Sequence, residues 1–331
     1  MNNILQAETP KPNPIQAHLQ GILPDLAQVE FILQDTLDNR RPGVTELIRH
    51  LENYKGKRLR PTLLLLTAKA CGGTNRAHHV LGAVVEMIHT ATLVHDDVLD
   101  SADTRRHVET VNAIWDNQTS ILLGDYLFTH AFHLTSTLGD AKACKLIGEA
   151  TNRVCEGELH QITQKGNLAL TEDQYFDIID AKTAELTSVC CRLGALYANE
   201  PDDVVESLAR YGRYLGMAFQ IADDVLDVVG QEHSTGKSLG TDLEQKKMTL
   251  PIIRLLATSD DTEIRHILSN GHPNKRDALQ PFLEQAKAVE YAQERAIELA
   301  MQAQAELRCL PPSESRDILS ILAEKAVHRN T

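Results

Sequence analysis

Six aspartates in two identical pentapeptides carry the clearest chemistry in this chain. Asp-Asp-Val-Leu-Asp occurs at Asp96–Asp100 and again at Asp223–Asp227, each time closing a mostly apolar run that reads as a helix. The first and last Asp of each motif stand one helical turn apart, so Asp96 and Asp100 share a face, as do Asp223 and Asp227. Stacked like charges repel, and burying such a row without a compensating cation would be prohibitive. Hard oxygen ligands in a shallow row suit Mg²⁺, which keeps several waters and takes further ligands from a substrate phosphate. Two facing rows would grip one diphosphate through several metal ions. A single acidic cluster reads equally well as a solvated helix face, but two copies, each preceded by apolar residues (Ala91 to Val94 and Met217 to Ala222), argue for the lip of a buried cavity.

An anion held this way also needs basic groups. Lys55, Lys57, Arg58 and Arg60 stand just before Leu63–Leu66, near an expected helix start, where backbone N–H groups also favour anions. Arg105-Arg106 follow the first acidic motif closely enough for guanidinium forks to reach the same diphosphate. Lys182, Lys237, Lys246 and Lys247 are spaced around the second motif, and His89 falls two helical turns before Asp96 on roughly the same face.

These residues must be positioned by helices. The chain has 331 residues, 42% hydrophobic and only 4% aromatic, ample for a large core and too poor in aromatics for a sheet sandwich or barrel. No proline interrupts the stretch between Pro61 and Pro201, which is rich in helix formers with apolar residues spaced three and four apart. The expected fold is all-α, one domain over residues 15–331 preceded by a flexible, proline-spaced arm over residues 1–14. The start does not read as a signal peptide and no apolar run reaches the ~18 residues of a spanning helix. Six cysteines without zinc-type pairing suit reduced thiols, which points to the cytoplasm. A net charge of −13 argues against nucleic acid or an anionic membrane surface as partner.

In order along the chain come a Gly-Lys-x-x-Arg-Pro segment at Gly56–Pro61, the first acidic motif with Arg105-Arg106, Gly124-Asp125-Tyr126, Glu156-Gly157-Glu158, Lys182-Thr183, Phe219-Gln220 before the second acidic motif, and Gly236-Lys237. With these motifs the chain resembles the trans-prenyl diphosphate synthases, the class I isoprenoid chain elongators. The resemblance implies an all-α bundle of long helices around a central cavity, usually a homodimer. It also implies head-to-tail condensation of isopentenyl diphosphate onto an allylic prenyl diphosphate such as farnesyl diphosphate, with Mg²⁺, three per site. By resemblance, Lys57, Arg60, His89 and Arg106 bind isopentenyl diphosphate and Arg105 contacts the allylic diphosphate. Asp96, Asp100 and Asp223 are the main metal ligands, with Asp97, Asp224 and Asp227 assisting. Lys182, Lys237 and Lys247 hold the leaving diphosphate, while Thr183 and Gln220 stand near the developing carbocation.

The chain departs from the family pattern at His107, where Gly often follows the Arg pair, at Gln245-Lys246, in place of Glu-Gly, and at Lys55, in place of the first Gly of its run. Product length should depend on what lies below the first acidic row. Ala91 and Thr92 are small where short-chain members place bulky aromatics, so the cavity is expected to run on, with Met87, Ile88, Phe128, Phe132, Leu146 and Ile147 as candidate walls or floor. The resemblance is greatest to long-chain members that make quinone side chains such as those of ubiquinone, with transient membrane contact for release of the product.

Other readings explain less. A His-Asp phosphohydrolase built on His78, His79, His89 and His95-Asp96 leaves the second acidic motif unexplained. A terpene cyclase typically carries one Asp-rich motif and a differently composed second metal site. A shorter-chain synthase (farnesyl or geranylgeranyl) and a non-catalytic subunit of a two-component synthase are the nearer alternatives, and the subunit would be expected to have eroded acidic motifs.

Overall fold

The computed structural model describes residues 19–38, 41–54, 56–230, 240–259, 262–269, 272 and 274–328. The expected N-terminal arm, Lys55 and Lys237 lie outside the described residues.

Leucines at four successive positions cannot share one helix face. Leu63–Leu66 sit on helix α3 (Leu59–Ala70; α1 is Leu23–Leu37 and α2 Pro42–Glu52), all four are fully buried, and α3 is accordingly surrounded on every side. Each such side chain contributes roughly 2 kcal/mol on burial, so α3 anchors the bundle from within.

Helix α4 (Arg76–Leu99) starts at a capping box. The Asn75 side chain accepts from the amides of Ala77 and His78, and His78 Nδ1 accepts from the Asn75 amide. It runs for 24 residues and ends where Ser101 turns left-handed, so the first acidic motif occupies its final turn. A two-stranded ribbon follows, β1 (Thr104–Arg105) and β2 (Val108–Glu109), antiparallel around Arg106-His107. Both turn residues have positive φ, the backbone of a tight hairpin turn that glycine or asparagine usually supplies.

The long helices α5 (Asn117–Ser136), α6 (Ala141–Thr163), α8 (Glu185–Leu196) and α9 (Asp202–Val229) complete the central bundle, with the short α7 (Glu172–Ile179) leading into α8. Between α7 and α8, Asp180–Ala184 widen into a single π turn. Helix α9 ends at Gly230, so the second acidic motif also falls in a final helical turn. Helices α10 (Leu250–Thr258), α11 (Thr262–Ser269), α12 (Lys275–Gln285), α13 (Ala288–Glu306) and α14 (Glu314–Val327) wrap the second half, α13 lying along α9.

Three buried clusters result. The largest gathers α3, the first part of α4, α8 and α14. A second joins α9 to α10–α13. A small third one joins Leu51, Tyr54, Ala91, Val94, Val111, Leu123 and Leu127. All six cysteines are free thiols. No helix among the described residues is long and apolar enough to cross a membrane.

Candidate active site

The two acidic motifs are linked through Lys247 and the turn that carries it. Lys247 Nζ lies 3.2 Å from an Asp100 oxygen and 4.0 Å from Asp242. Lys182, on the π turn, pairs with Glu158 of α6 and donates to Gln161 Oε1 at 2.9 Å. Burial pulls the Lys182 ammonium down, but Asp96 and Glu158 outweigh it and hold its pKa above the usual value. A cavity of about 80 Å³ opens beside them, lined by Lys182, Thr183, Gln220, Asp224, Asp242 and Lys247 together with apolar groups such as Ile178, Ile179 and Met248.

The six aspartates divide into two sorts. Asp97 and Asp224, the second of each motif, are almost fully buried, and each is held by a tyrosine far away in sequence. Asp97 takes Arg105 Nε at 2.7 Å and interacts with the Tyr54 hydroxyl, whose own pKa is pushed up to about 12 by burial and then by the Asp97 charge. Asp224 accepts from Tyr175 at 2.6 Å and from Gln220 Nε2 at 2.8 Å. Burial raises the carboxyl pKa of both. Asp227 is engaged differently. Its side chain accepts the amides of Thr241 and Asp242 and the Thr241 hydroxyl, tying the end of α9 to the turn that carries Lys247. These three, expected to assist at the metals, are thus bound to neighbouring groups and anchor the site. Asp96, by contrast, lies deep and is raised to about 6, by desolvation first, with Glu158 and Asp100 adding to it against Lys182 and Arg105.

The second cationic group is separate. Gly56 brings its backbone so close to Arg106 that a methyl there would lie 2.5 Å from the guanidinium, and Arg106 donates to the Tyr54 carbonyl. His89 sits deep beside Arg60, Arg106, Arg105 and Arg58, and burial, then those charges, hold its pKa well below the usual value, so the ring is neutral at pH 7. Arg60 is likewise deep, with its Nε unpartnered within the protein, while Lys57 is exposed. The structure therefore brings Arg60, His89 and Arg106 into one pocket beside the Lys57 loop. Arg105, expected on the allylic diphosphate, pairs with Asp97 at 2.7 Å.

Thr183 Oγ1 donates to Gln220 Oε1 at 2.9 Å, and Gln220 passes the connection to Asp224. This chain of hydrogen bonds fixes both polar groups at the cavity wall. Ala91 is fully buried in the seam between α4 and α5, about 140° around the helix from Asp96, whereas half-buried Thr92 is only about 40° from it. Ile147, Met87 and Ile88 are buried together in the main cluster. Phe132, considered as a wall, is instead exposed on the surface of α5.

Sequence reasoning missed Tyr54, Tyr175, Glu86 and Asp242. Their partners are brought by the fold from positions with no local spacing signal. Glu86 pairs with Arg58 at 2.7 Å and is the buried carboxylate among the cations. The histidines of a phosphohydrolase reading are scattered: His78 on the Gly194 carbonyl, His79 on Asp25, His95 near Asp125.

Among the described residues no three His, Cys, Asp or Glu side chains converge into a metal cage. Mg²⁺ needs none, since it binds through one or two carboxylates plus substrate oxygens. Asp96 and Asp100, oxygen donors one turn apart with the desolvation of Asp96 only partly offset by Lys182 and Arg105, fit such an ion.

All-α packing, two acidic motifs joined through Lys247, and a separate cationic cluster fit a prenyltransferase that handles two diphosphates. The Polyprenyl synthetase family model matches residues 41–286. Octaprenyl diphosphate synthase of Escherichia coli (strain K12) is 36% identical, over 92% of this chain and 96% of that protein. The crystal structure of a decaprenyl diphosphate synthase from Rhodobacter capsulatus superposes with a TM-score of 0.90 at 35% identity, covering 95% of this chain and 98% of that one. A polyprenyl synthase from Caulobacter crescentus CB15, complexed with calcium and isoprenyl diphosphate, also gives 0.90 at 32% identity, covering 98% and 100%. The chain belongs to the polyprenyl synthetase family.

Proposed function

We propose that this protein is an all-trans long-chain polyprenyl diphosphate synthase, condensing isopentenyl diphosphate head-to-tail onto an allylic diphosphate such as farnesyl diphosphate. The observation that carries the reading is Lys247 joining Asp100 of the first acidic motif to Asp242, on the turn held by Asp227 of the second, with Lys182 beside a cavity lined by both polar and apolar groups. Asp96, Asp100 and Asp223 would hold Mg²⁺, three ions per site, which neutralise charge on the departing diphosphate when bound. Lys182 and Lys247 meet the same charge from the protein side, and Lys237 joins them by its place in the sequence. Arg60, Arg106, neutral His89 and exposed Lys57 hold the second diphosphate. The allylic carbon becomes cationic as its C–O bond breaks, and the isopentenyl double bond attacks it. Thr183 and Gln220 present fixed dipoles to that cation, worth more in a dry cavity than in water. Loss of a proton to the departing diphosphate completes the step, and Ile178, Ile179 and Met248 help to keep water from the cation.

Long products are supported by the small, half-buried Thr92 on the Asp96 side of α4, one turn above the buried Met87 and Ile88. Exposed Ile121 and Leu122 on α5 and Leu159 on α6 support a homodimer that covers them, and a quinone side chain in the cytoplasm is the use that fits a long polyprenyl product. Asp96→Ala and Asp223→Ala test the reading: labelled isopentenyl diphosphate incorporation should fall at least a hundredfold with helical content intact, since even a few kcal/mol of lost transition-state stabilisation has that effect. Unchanged incorporation in either would refute the metal assignment.

A further inference from the structure

The π turn that carries Lys182 and Thr183 is gripped from both sides by a repeated device. Its defining bond runs from the Glu185 amide to the Asp180 carbonyl, and those two residues also bear its carboxylates. Arg153 of α6 donates to Asp180 at 2.5 Å and lies 3.4 Å from Glu185, while Arg213 of α9 lies 3.1 Å from each. Two arginines and two carboxylates thus close a ring across three helices. One turn further along each flanking helix stands a glycine pressed against the same turn. A methyl at Gly157 of α6 would lie 2.6 Å from the Lys182 amide nitrogen, and one at Gly216 of α9 would lie 2.7 Å from the Ala184 Cα. The backbone of the π turn therefore fills a slot floored by glycine and clamped at its two ends by guanidinium.

A π turn is strained relative to a continuous helix and persists where its surroundings fix it, often at functional sites. Resting on the site reading above, we propose that Arg153 and Arg213 are positioning residues: by clamping Asp180 and Glu185 they hold the π turn in the register that aims Lys182 at Glu158 and the first acidic motif and Thr183 at Gln220. A guanidinium suits this task because its donors stand at fixed angles, so that one group can span two carboxylates. Half-exposed ion pairs of this kind add little to global stability, so the effect belongs to catalysis.

The test compares Arg153→Met, Arg213→Met and their double variant with Arg213→Lys, Asp180→Asn/Glu185→Gln and Lys182→Met, reading kcat, KM for isopentenyl diphosphate and Tm. The double variant and the isosteric carboxamide pair should lose about 10- to 100-fold in kcat, as misplacement of a reacting group by ~1 Å does, with KM for isopentenyl diphosphate within about twofold. Arg213→Lys should recover only part. If Lys182→Met loses kcat while the ring variants keep it, or lose activity only in step with Tm, the clamp is wrong and the site reading stands. If Lys182→Met keeps full kcat, the site reading itself fails and the clamp with it. Should the methionine double variant not fold, the carboxamide pair decides between the same outcomes.

Discussion

Lys247 reaches back 147 residues to pair with Asp100, so a single ammonium joins the end of α4 to the segment following α9. Asp242, 4.0 Å away, is raised to about 6, by desolvation first and then by Asp227, while Lys247 opposes the rise. The lysine holds two acidic elements together that would otherwise repel.

Replacing Lys247 with Met should therefore weaken both closure and diphosphate neutralisation. We expect kcat for isopentenyl diphosphate incorporation to fall by tenfold or more, measured at saturating substrates; a rate within twofold of the parent would remove Lys247 from the site.

The aspartates should separate by two readouts. Asp97→Ala leaves Arg105 and Tyr54 without their carboxylate, and breaking a buried pair costs about 3 kcal/mol or more, a fall of roughly 4 °C or more in Tm for a chain of this length. Asp96→Ala relieves a desolvated charge and should leave Tm unchanged or higher while abolishing turnover. Thermal melts of the two variants check this directly, and matching melts would erase the division between anchors and ligands.

The pH dependence follows from Asp96 and Asp242, both raised to about 6 from 3.8. Between these values the folded chain binds more protons than the unfolded one, so their contribution to stability falls as pH rises from about 4 to above 6. Without divalent metal, Asp96→Asn should flatten that part of the Tm profile relative to the parent. Activity has the opposite sign, because metal binding needs the carboxylates ionised, and kcat/KM should decline below about pH 6. An acid limb unchanged in Asp242→Asn would leave Asp96 as its source, and one that starts well below about pH 5 in the parent would assign it to other groups.

Product length offers a further separation. Ala91→Phe should shorten the main product to about fifteen to twenty carbons, roughly what fits above one helical turn of 5.4 Å, while the first condensation survives. Because Ala91 is sealed against Leu123 and Leu127, it should also lower Tm through overpacking that costs about 1–3 kcal/mol. Thr92→Phe, on the side of Asp96, should shorten the product without that penalty. Chromatography showing the parent length in both variants would place the tunnel elsewhere.

The helical fold and the two acidic motifs were legible because both write themselves locally, as apolar periodicity and as carboxylates one turn apart. Which carboxylates are anchors was not legible. That depends on Tyr54 and Tyr175, 43 and 49 residues from Asp97 and Asp224, and on Asp227 capping a turn beyond its own helix. The π turn leaves no trace in spacing, since one extra residue in a helix looks like any other. The departures from the family pattern acquire a physical meaning: His107 and Lys246, standing where glycine is common, both adopt positive φ. Lys246→Gly should then be neutral or stabilising by up to about 1 kcal/mol, readable as a small rise in Tm.

The central claim is tested most directly by incubating the purified protein with Mg²⁺, farnesyl diphosphate and labelled isopentenyl diphosphate and resolving the products by chain length. The account predicts label in all-trans chains well beyond twenty carbons, lost on adding a chelator. Absence of incorporation, or products stopping at fifteen to twenty carbons, would contradict it.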